Sequence, residues 1–316
     1  MYYFSHARTA LKYGLLNLGI SKSNKVLVPD FICDSLIHPL IQLGINIIYY
    51  KINENFKPEW ADVENKLNSH NISAIIMVNY FGQVQDLQKF ISVKNKHNIF
   101  LIEDNSHGLN KHNHYKNIEI DFSITSPRKF LNIASGGILY IESKININLP
   151  IYNSNIITTT LKKVIKNSRK IQFFINFLIK NIPNFEKINY LKEKNVNDFL
   201  IDKNSMKILN HILNNKYNVI RENRRKQWIY WEKIAIEFGG KLIFDEVQFN
   251  NIPWALPIIF EDIKQKNNFI AHGKNKFINF FPWPVLPYIQ ISSNAGVRKF
   301  WYKIVCIPLY NIDINK

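Results

Sequence analysis

Ile99-Phe100-Leu101-Ile102-Glu103-Asp104-Asn105-Ser106-His107 is the stretch on which the reading of the chain turns. An apolar run at 99–102 that ends on carboxylates predicts a buried strand whose end meets a polar crevice. Similar runs precede it at Ala74–Val78, Asn46–Tyr50 and Lys25–Val28, and another follows at Gly137–Ile141. The segments between them carry helical spacing. Residues 7–19 place Leu11, Leu15, Leu16 and Leu18 on one face and offer Gly19 as a stop; Ser35–Leu43, Trp60–Leu67 and Leu87–His97 read alike. Short apolar strands alternating with helices predict an α/β fold, with a mainly parallel central sheet and helices on both faces. Ligands of such sheets sit beyond the carboxyl ends of the strands, so the residues just after each run carry the chemistry.

The second half reads differently. A long polar helix from Met206 to Phe238, containing Arg221, Arg224 and Arg225, leads to short strands near Lys241–Phe244 and Trp254–Phe260. A helix over Ser292–Trp301 then precedes the apolar run Ile304–Leu309. This predicts a smaller α+β domain, with the division at 1–205 and 206–316. Residues 161–182, LKKVIKNSRKIQFFINFLIKNI, join a basic start to an apolar finish. Such a helix can lie on an anionic membrane surface; packing on the domain or at a subunit interface is the weightier reading.

Composition narrows the class. The 316 residues suggest about two domains at roughly 150 residues each. A content of 46% hydrophobic and 14% aromatic residues excludes a disordered or collagen-like chain. Two cysteines, Cys33 and Cys306, exclude a disulfide framework and favour a reducing cytoplasm. There is no run of about 20 apolar residues to span a bilayer. His6 and Arg8 stand where a signal peptide would need its apolar stretch. The net charge of +17 invites a nucleic-acid reading. Zinc-finger spacing, RNP-like aromatic strands and basic-region heptads are all missing, so the charge is read as a solvated Lys-rich surface and no nucleic-acid partner is expected.

Three groups of residues carry chemistry. Asp104, with His107 three residues on, can hold a heterocycle at two points. Ser126-Pro127-Arg128-Lys129 is followed seven residues after the lysine by Gly136-Gly137. The opening Ser5-His6-Ala7-Arg8-Thr9-Ala10-Leu11 places small and polar residues at a helix start, where unpaired N–H groups and the helix dipole suit phosphate. No metal-ligand set is expected.

Together these resemble the DegT/StrS-type sugar aminotransferases, pyridoxal-phosphate enzymes of fold type I. Val26-Leu27-Val28-Pro29-Asp30-Phe31-Ile32-Cys33 is similar to the family's strand ending in proline and an aromatic. Asn79-Tyr80-Phe81-Gly82-Gln83 resembles its aromatic-Gly-Gln turn, and Glu103-Asp104-x-x-His107 its Glu-Asp-x-x-Gln/His motif. Lys129 with Gly136-Gly137 resembles its lysine and double glycine. Trp283-Pro284 and Cys306-Ile307-Pro308-Leu309 resemble signatures of its C-terminal half.

The resemblance implies pyridoxal phosphate as cofactor, held by the large domain and joined covalently to Lys129, which then moves the proton. Asp104 would pair with the pyridine nitrogen, and His107 would lie by the ring and its 3-oxygen. Ser126 and the N–H groups around Ala7, Arg8 and Thr9 would hold phosphate, with Arg8 as a charged partner; Ala7 stands where relatives carry glycine. Cys33 stands where relatives place an aromatic over the ring, so stacking would fall to Phe31 or another ring. The implied reaction moves an amino group from an amino acid, such as glutamate, to a nucleotide-linked keto-sugar, in a homodimer. The relatives that act as sugar dehydratases replace the lysine with histidine, so Lys129 favours transamination. A silent scaffold is disfavoured by the joint presence of Lys129, Asp104 and His107. By the family's pattern the chain is short at both ends.

Overall fold

The computed structural model describes residues 1–110, 119–151, 198–244, 251–276, 278–283 and 295–309. The segment 161–182 and Pro284 lie outside the described residues. Twelve strands and eight helices are named here in chain order: β1 (Tyr2–Phe4), α1 (Ala7–Asn17), β2 (Lys25–Pro29), α2 (Asp34–Gln42), β3 (Asn46–Tyr50), α3 (Trp60–Ser69), β4 (Ala74–Val78), α4 (Leu87–His97), β5 (Phe100–Asp104), β6 (Gly108–Leu109), β7 (Phe122–Thr125), β8 (Gly137–Tyr140), α5 (Lys203–His211), α6 (Tyr217–Glu237), β9 (Lys241–Leu242), β10 (Ile252–Pro253), β11 (Ala255–Ile259), α7 (Ile263–Asn275), α8 (Ala295–Lys303) and β12 (Ile304–Pro308).

Seven strands form the main sheet in the order β1-β8-β7-β5-β4-β2-β3. The ladders from β3 through β7 are parallel; β8 pairs antiparallel with β7, and β1 antiparallel with β8. The period-2 alternation of side chains divides the strands between two cores. Val26, Val28, Ile76 and Ile102 join Leu11 and Leu15 of α1 and Leu36 and Leu40 of α2. Leu27, Ile75, Met77 and Leu101 face the other way, onto Val63 and Leu67 of α3 and Phe90 and Val93 of α4. The α/β fold with helices on both faces is therefore as the sequence predicts.

β3 and β4 lie on opposite sides of β2, so the strand order reverses between β2 and β4 and a crevice opens at the carboxyl ends there. A three-stranded antiparallel sheet, β12-β11-β9, lies in the C-terminal half with a core of Trp228, Leu256, Phe260 and Phe269. The short ladder β10-β6 connects the two halves of the chain.

Two elements depart from expectation. The single helix predicted over 206–238 is α5, a π turn at Ile212–Lys216 and then α6. It is also not polar throughout, since Arg224, Gln227, Trp228 and Trp231 are buried. The strand predicted over 99–102 runs over Phe100–Asp104, so both carboxylates belong to β5 itself.

The double glycine has a mechanical role. Gly137 pairs with Phe4 and lies flush on the peptide that opens α1; a Cβ there would sit 2.1 Å from the His6 carbonyl carbon and 2.4 Å from the Ala7 nitrogen. At Gly136 the nearest atom to a Cβ is the Ile133 Cδ1 at 2.9 Å, the end of a movable side chain. Gly137→Ala is therefore expected to cost at least about 1–3 kcal/mol, and Gly136→Ala markedly less. Urea unfolding checks this: equal midpoints for the two variants would contradict the flush contact.

Candidate functional site

A pocket opens at the switch point, and most of the residues singled out from sequence line it. From α1 come Ala7 and Arg8; from the turn after β2, Cys33; from β5 and the loop after it, Asp104 and His107; from the segment after β7, Ser126 and Lys129. The space, including its open mouth, is about 650 Å³. Thr9 is not part of this lining; it is buried in α1, and its N–H is taken by the His6 carbonyl at 3.1 Å. Phe31 is also outside the lining, buried against Phe56, Trp283 and Phe300. Trp283 does line the pocket, as do His6 and His107.

Each side chain is placed by local backbone. Asp104 ends β5 in register with Val78 and Ile124, and its Oδ1 accepts the Ser106 N–H at 2.8 Å. Lys129 sits on a one-turn 3₁₀ helix, Pro127–Lys129, begun by Pro127, which favours a first helical position. Its own N–H donates to the Ser126 carbonyl at 2.9 Å. The α1 start carries no acidic residue in its first turn, which keeps its positive end open to an anion. Beneath Asp104, the Glu103 carboxylate accepts hydrogen bonds from Asn79 Nδ2 at 2.8 Å and from the Ser123 hydroxyl.

His107 is fixed from several sides. Its Nδ1 accepts the Phe81 N–H at 3.3 Å, which places the ring proton on Nε2. Phe81 reaches that position with φ 54°, followed by Gly82 at φ 82°. A Cβ on Gly82 would come within 2.9 Å of Asn251 Oδ1 and of the His107 carbonyl oxygen, so the Tyr-Phe-Gly-Gln turn requires its glycine. The His107 ring lies 4.6 Å from that of Trp254 and 4.5 Å from that of Trp283.

Burial sets the charge states. It pulls the Lys129 amine below the ordinary lysine range; the Cys33 thiol and Asp104 pull the other way, and Arg128 adds to the lowering. Burial raises the Asp104 carboxyl, against hydrogen bonds from Ser106 and the charge of Lys129. His107 is held well below its ordinary value by burial and then by Lys129, so its ring is neutral. The Cys33 thiol is pushed up by burial, as expected of a small apolar filler rather than a nucleophile.

A lysine amine, a buried carboxylate, a neutral histidine and a helix start thus converge on one crevice. Residues 3–145 match the DegT/DnrJ/EryC1/StrS aminotransferase family. The chain is 29% identical over 101 residues to the GDP-perosamine synthase of Vibrio cholerae, and equally so to that of Escherichia coli O157:H7. Those alignments cover 32% of this chain and 27% and 28% of the relatives, so the chain spans under a third of the length of the curated relatives it matches. The fold is shared with solved structures of low identity. The Bacillus subtilis protein ntda with bound cofactor PMP matches with TM-score 0.64 at 16% identity, over 98% of this chain and 68% of that one. Helicobacter pylori PseC, an aminotransferase involved in the biosynthesis of pseudoaminic acid, matches with TM-score 0.62 at 13% identity, over 99% and 82%.

The pocket holds residues that the sequence reading did not assign. His6, the residue before α1, lines it, as does Arg128 at its exposed rim. Trp254, outside that lining, lies beside it with its ring centroid 4.8 Å from Lys129 Nζ. A carboxylate at a strand end is legible from an apolar run; a tryptophan brought in from 125 residues away (254 − 129) is not. Among the described residues no cluster of three or more His, Cys, Asp or Glu could hold a metal ion. No helix among them is long and apolar enough to cross a membrane.

The lowered affinity of Lys129 for its proton has a measurable sign. At any pH below the range of surface lysines, more of this amine is neutral and reactive. Reductive methylation followed by peptide mass spectrometry is expected to label Lys129 with a pH profile shifted down from that of surface lysines; a coincident or higher profile would contradict the burial argument.

Proposed function

We propose that this protein is a pyridoxal-phosphate-dependent aminotransferase that moves an amino group from an amino acid, glutamate being the expected donor, to a nucleotide-linked keto-sugar. The observation that carries this reading is the convergence of the Lys129 amine, the Asp104 carboxylate and the α1 start on one pocket. The donor set fits the cofactor: an amine for its aldehyde, a carboxylate for its ring nitrogen and an anion seat for its phosphate. When bound, pyridoxal phosphate supplies an electron sink for the carbanion left by a departing α-proton.

The chain's own residues do the rest. Lys129 would hold the cofactor through its amine and, when free, would take and return the proton; burial lowers its proton affinity, which favours that role. Asp104 keeps a proton on the ring nitrogen. Burial penalises its charge, and a cationic ring nitrogen beside it relieves that penalty, so ligand and carboxylate stabilise each other. His107, whose Nδ1 accepts the Phe81 N–H, carries its ring proton on Nε2 and would offer it to the cofactor's 3-oxygen. Ser126, Arg8 and the N–H groups at Ala7 and Arg8 seat the phosphate. Cys33 leaves room on one wall, and Trp283 supplies an aromatic face in place of the ring expected there.

The same reading makes residues 1–205 the cofactor-binding domain and 206–316 the smaller domain. The seven-stranded sheet draws only on residues up to 140, and the three-stranded sheet on residues 241–308. A homodimer working in the cytoplasm on surface polysaccharide or glycan precursors completes the proposal. The curated relatives are named for a GDP-linked amino sugar, which supports the nucleotide-sugar substrate.

Purified protein mixed with pyridoxal phosphate is expected to absorb in the visible and to bleach with glutamate, while Lys129→Ala stays colourless. Asp104→Asn should keep the colour yet lose about 10²–10⁴-fold in amino transfer, the range of a lost proton-handling group. A wild-type protein that remains colourless with excess cofactor would overturn the assignment.

A further inference from the structure

Arg224 lies outside the pocket lining, yet it is 3% exposed and bonded to both sides of the site. Its Nη1 donates to the Pro253 carbonyl at 2.8 Å and to the Trp254 carbonyl at 3.2 Å, and its Nη2 donates to the Phe130 carbonyl at 2.8 Å. The guanidinium also stands over the Phe130 ring at 5.6 Å. Phe130 directly follows Lys129, and Trp254 carries the ring that faces Lys129 Nζ. The same Trp254 donates its N–H to the His107 carbonyl at 3.2 Å and packs its ring on His107.

We propose that Arg224 is a positioning residue for the Lys129 site, fixing the Trp254 ring against the lysine amine by tying the carbonyls of Phe130, Pro253 and Trp254 to one planar group. This rests on the aminotransferase reading for its purpose, though not for its geometry. A rigid fork of N–H donors can span carbonyls on two separate chain segments; a lysine ammonium on a flexible stem is a point charge and cannot hold both in one plane. Burial lowers the Arg224 proton affinity to about 9, which still leaves it charged at neutral pH. The ring it holds favours the protonated form of Lys129 through its π face, whereas burial favours the neutral form. Arg224 thereby governs the balance between the two without touching the amine.

The experiment is the pH profile of Lys129 reductive methylation in cofactor-free protein, read by peptide mass spectrometry. It compares wild type, Arg224→Lys, Trp254→Leu and the double variant, with Arg225→Gln as a control on the exposed face of α6. The profile should move down by about half a pH unit in Arg224→Lys and in Trp254→Leu, from loss of the cation–π contact. The double variant should show no further movement, because both changes remove one contact. Arg225→Gln should match wild type. Additive shifts, or an unshifted profile in a folded Arg224→Lys protein, would overturn the proposal. If Arg224→Lys does not fold, Trp254→Leu decides alone: an unshifted profile there removes the contact the arginine is held to serve. Because no cofactor is present, a failure of cofactor binding in wild type counts against the aminotransferase reading and leaves this result standing.

Discussion

Asp104 at the end of β5 and Lys129 on the 3₁₀ turn after β7 lie within electrostatic reach of each other, and desolvation penalises both charges. Moving one charge into a dry interior is costly unless a partner or hydrogen bonds offset it. The carboxyl is raised, the amine lowered, and each charge opposes the shift of the other. A ligand that offers a cation to Asp104 and an electrophilic carbon to Lys129 relieves both strains together. The chemistry of the pocket follows from that shared constraint.

Holding the pair requires a frame that does not yield. The parallel register of β5 and β7 sets Asp104 beside Ile124, two residues before Ser126, and the 3₁₀ turn carries Lys129 back over the crevice. On the α1 side the frame is steric, since Gly137 lets β8 touch the peptide that opens α1. On the opposite side it is polar. Asn251 donates from Nδ2 to the Gly82 carbonyl at 2.6 Å, and Arg224 bonds Phe130 to the β10–β11 junction. Besides the β10–β6 ladder and apolar packing of Ala255, Ile259 and Ile304, the C-terminal half thus meets the N-terminal half through side chains aimed at main-chain carbonyls, which are more directional contacts.

Much of this is legible from sequence because β2, β4 and β5 are short, largely apolar runs flanked by polar turns, and parallel strands buried on both faces must read that way. Locating β5 locates Asp104 and His107 at its end, whereas Cys33 comes from the family resemblance. β1 and β7 were not read. Tyr2–Phe4 is too short to show a period, and Phe-Ser-Ile-Thr at 122–125 buries its polar residues as well as its apolar ones. α7 escaped because only Phe269 and Gly273 of its thirteen residues are buried. The π turn at 212–216 carries no glycine or proline to announce it. Arg224 belongs to a helix that reads as polar; its carbonyl partners lie 94, 29 and 30 residues away, and no local pattern records that.

The central claim is that Lys129 is the amine that takes the cofactor. Borohydride reduction of the cofactor-loaded protein, followed by proteolysis and mass spectrometry, tests it directly. The account predicts one pyridoxyl-bearing peptide, with the modification on Lys129. Label on other lysines with none on Lys129 would contradict it.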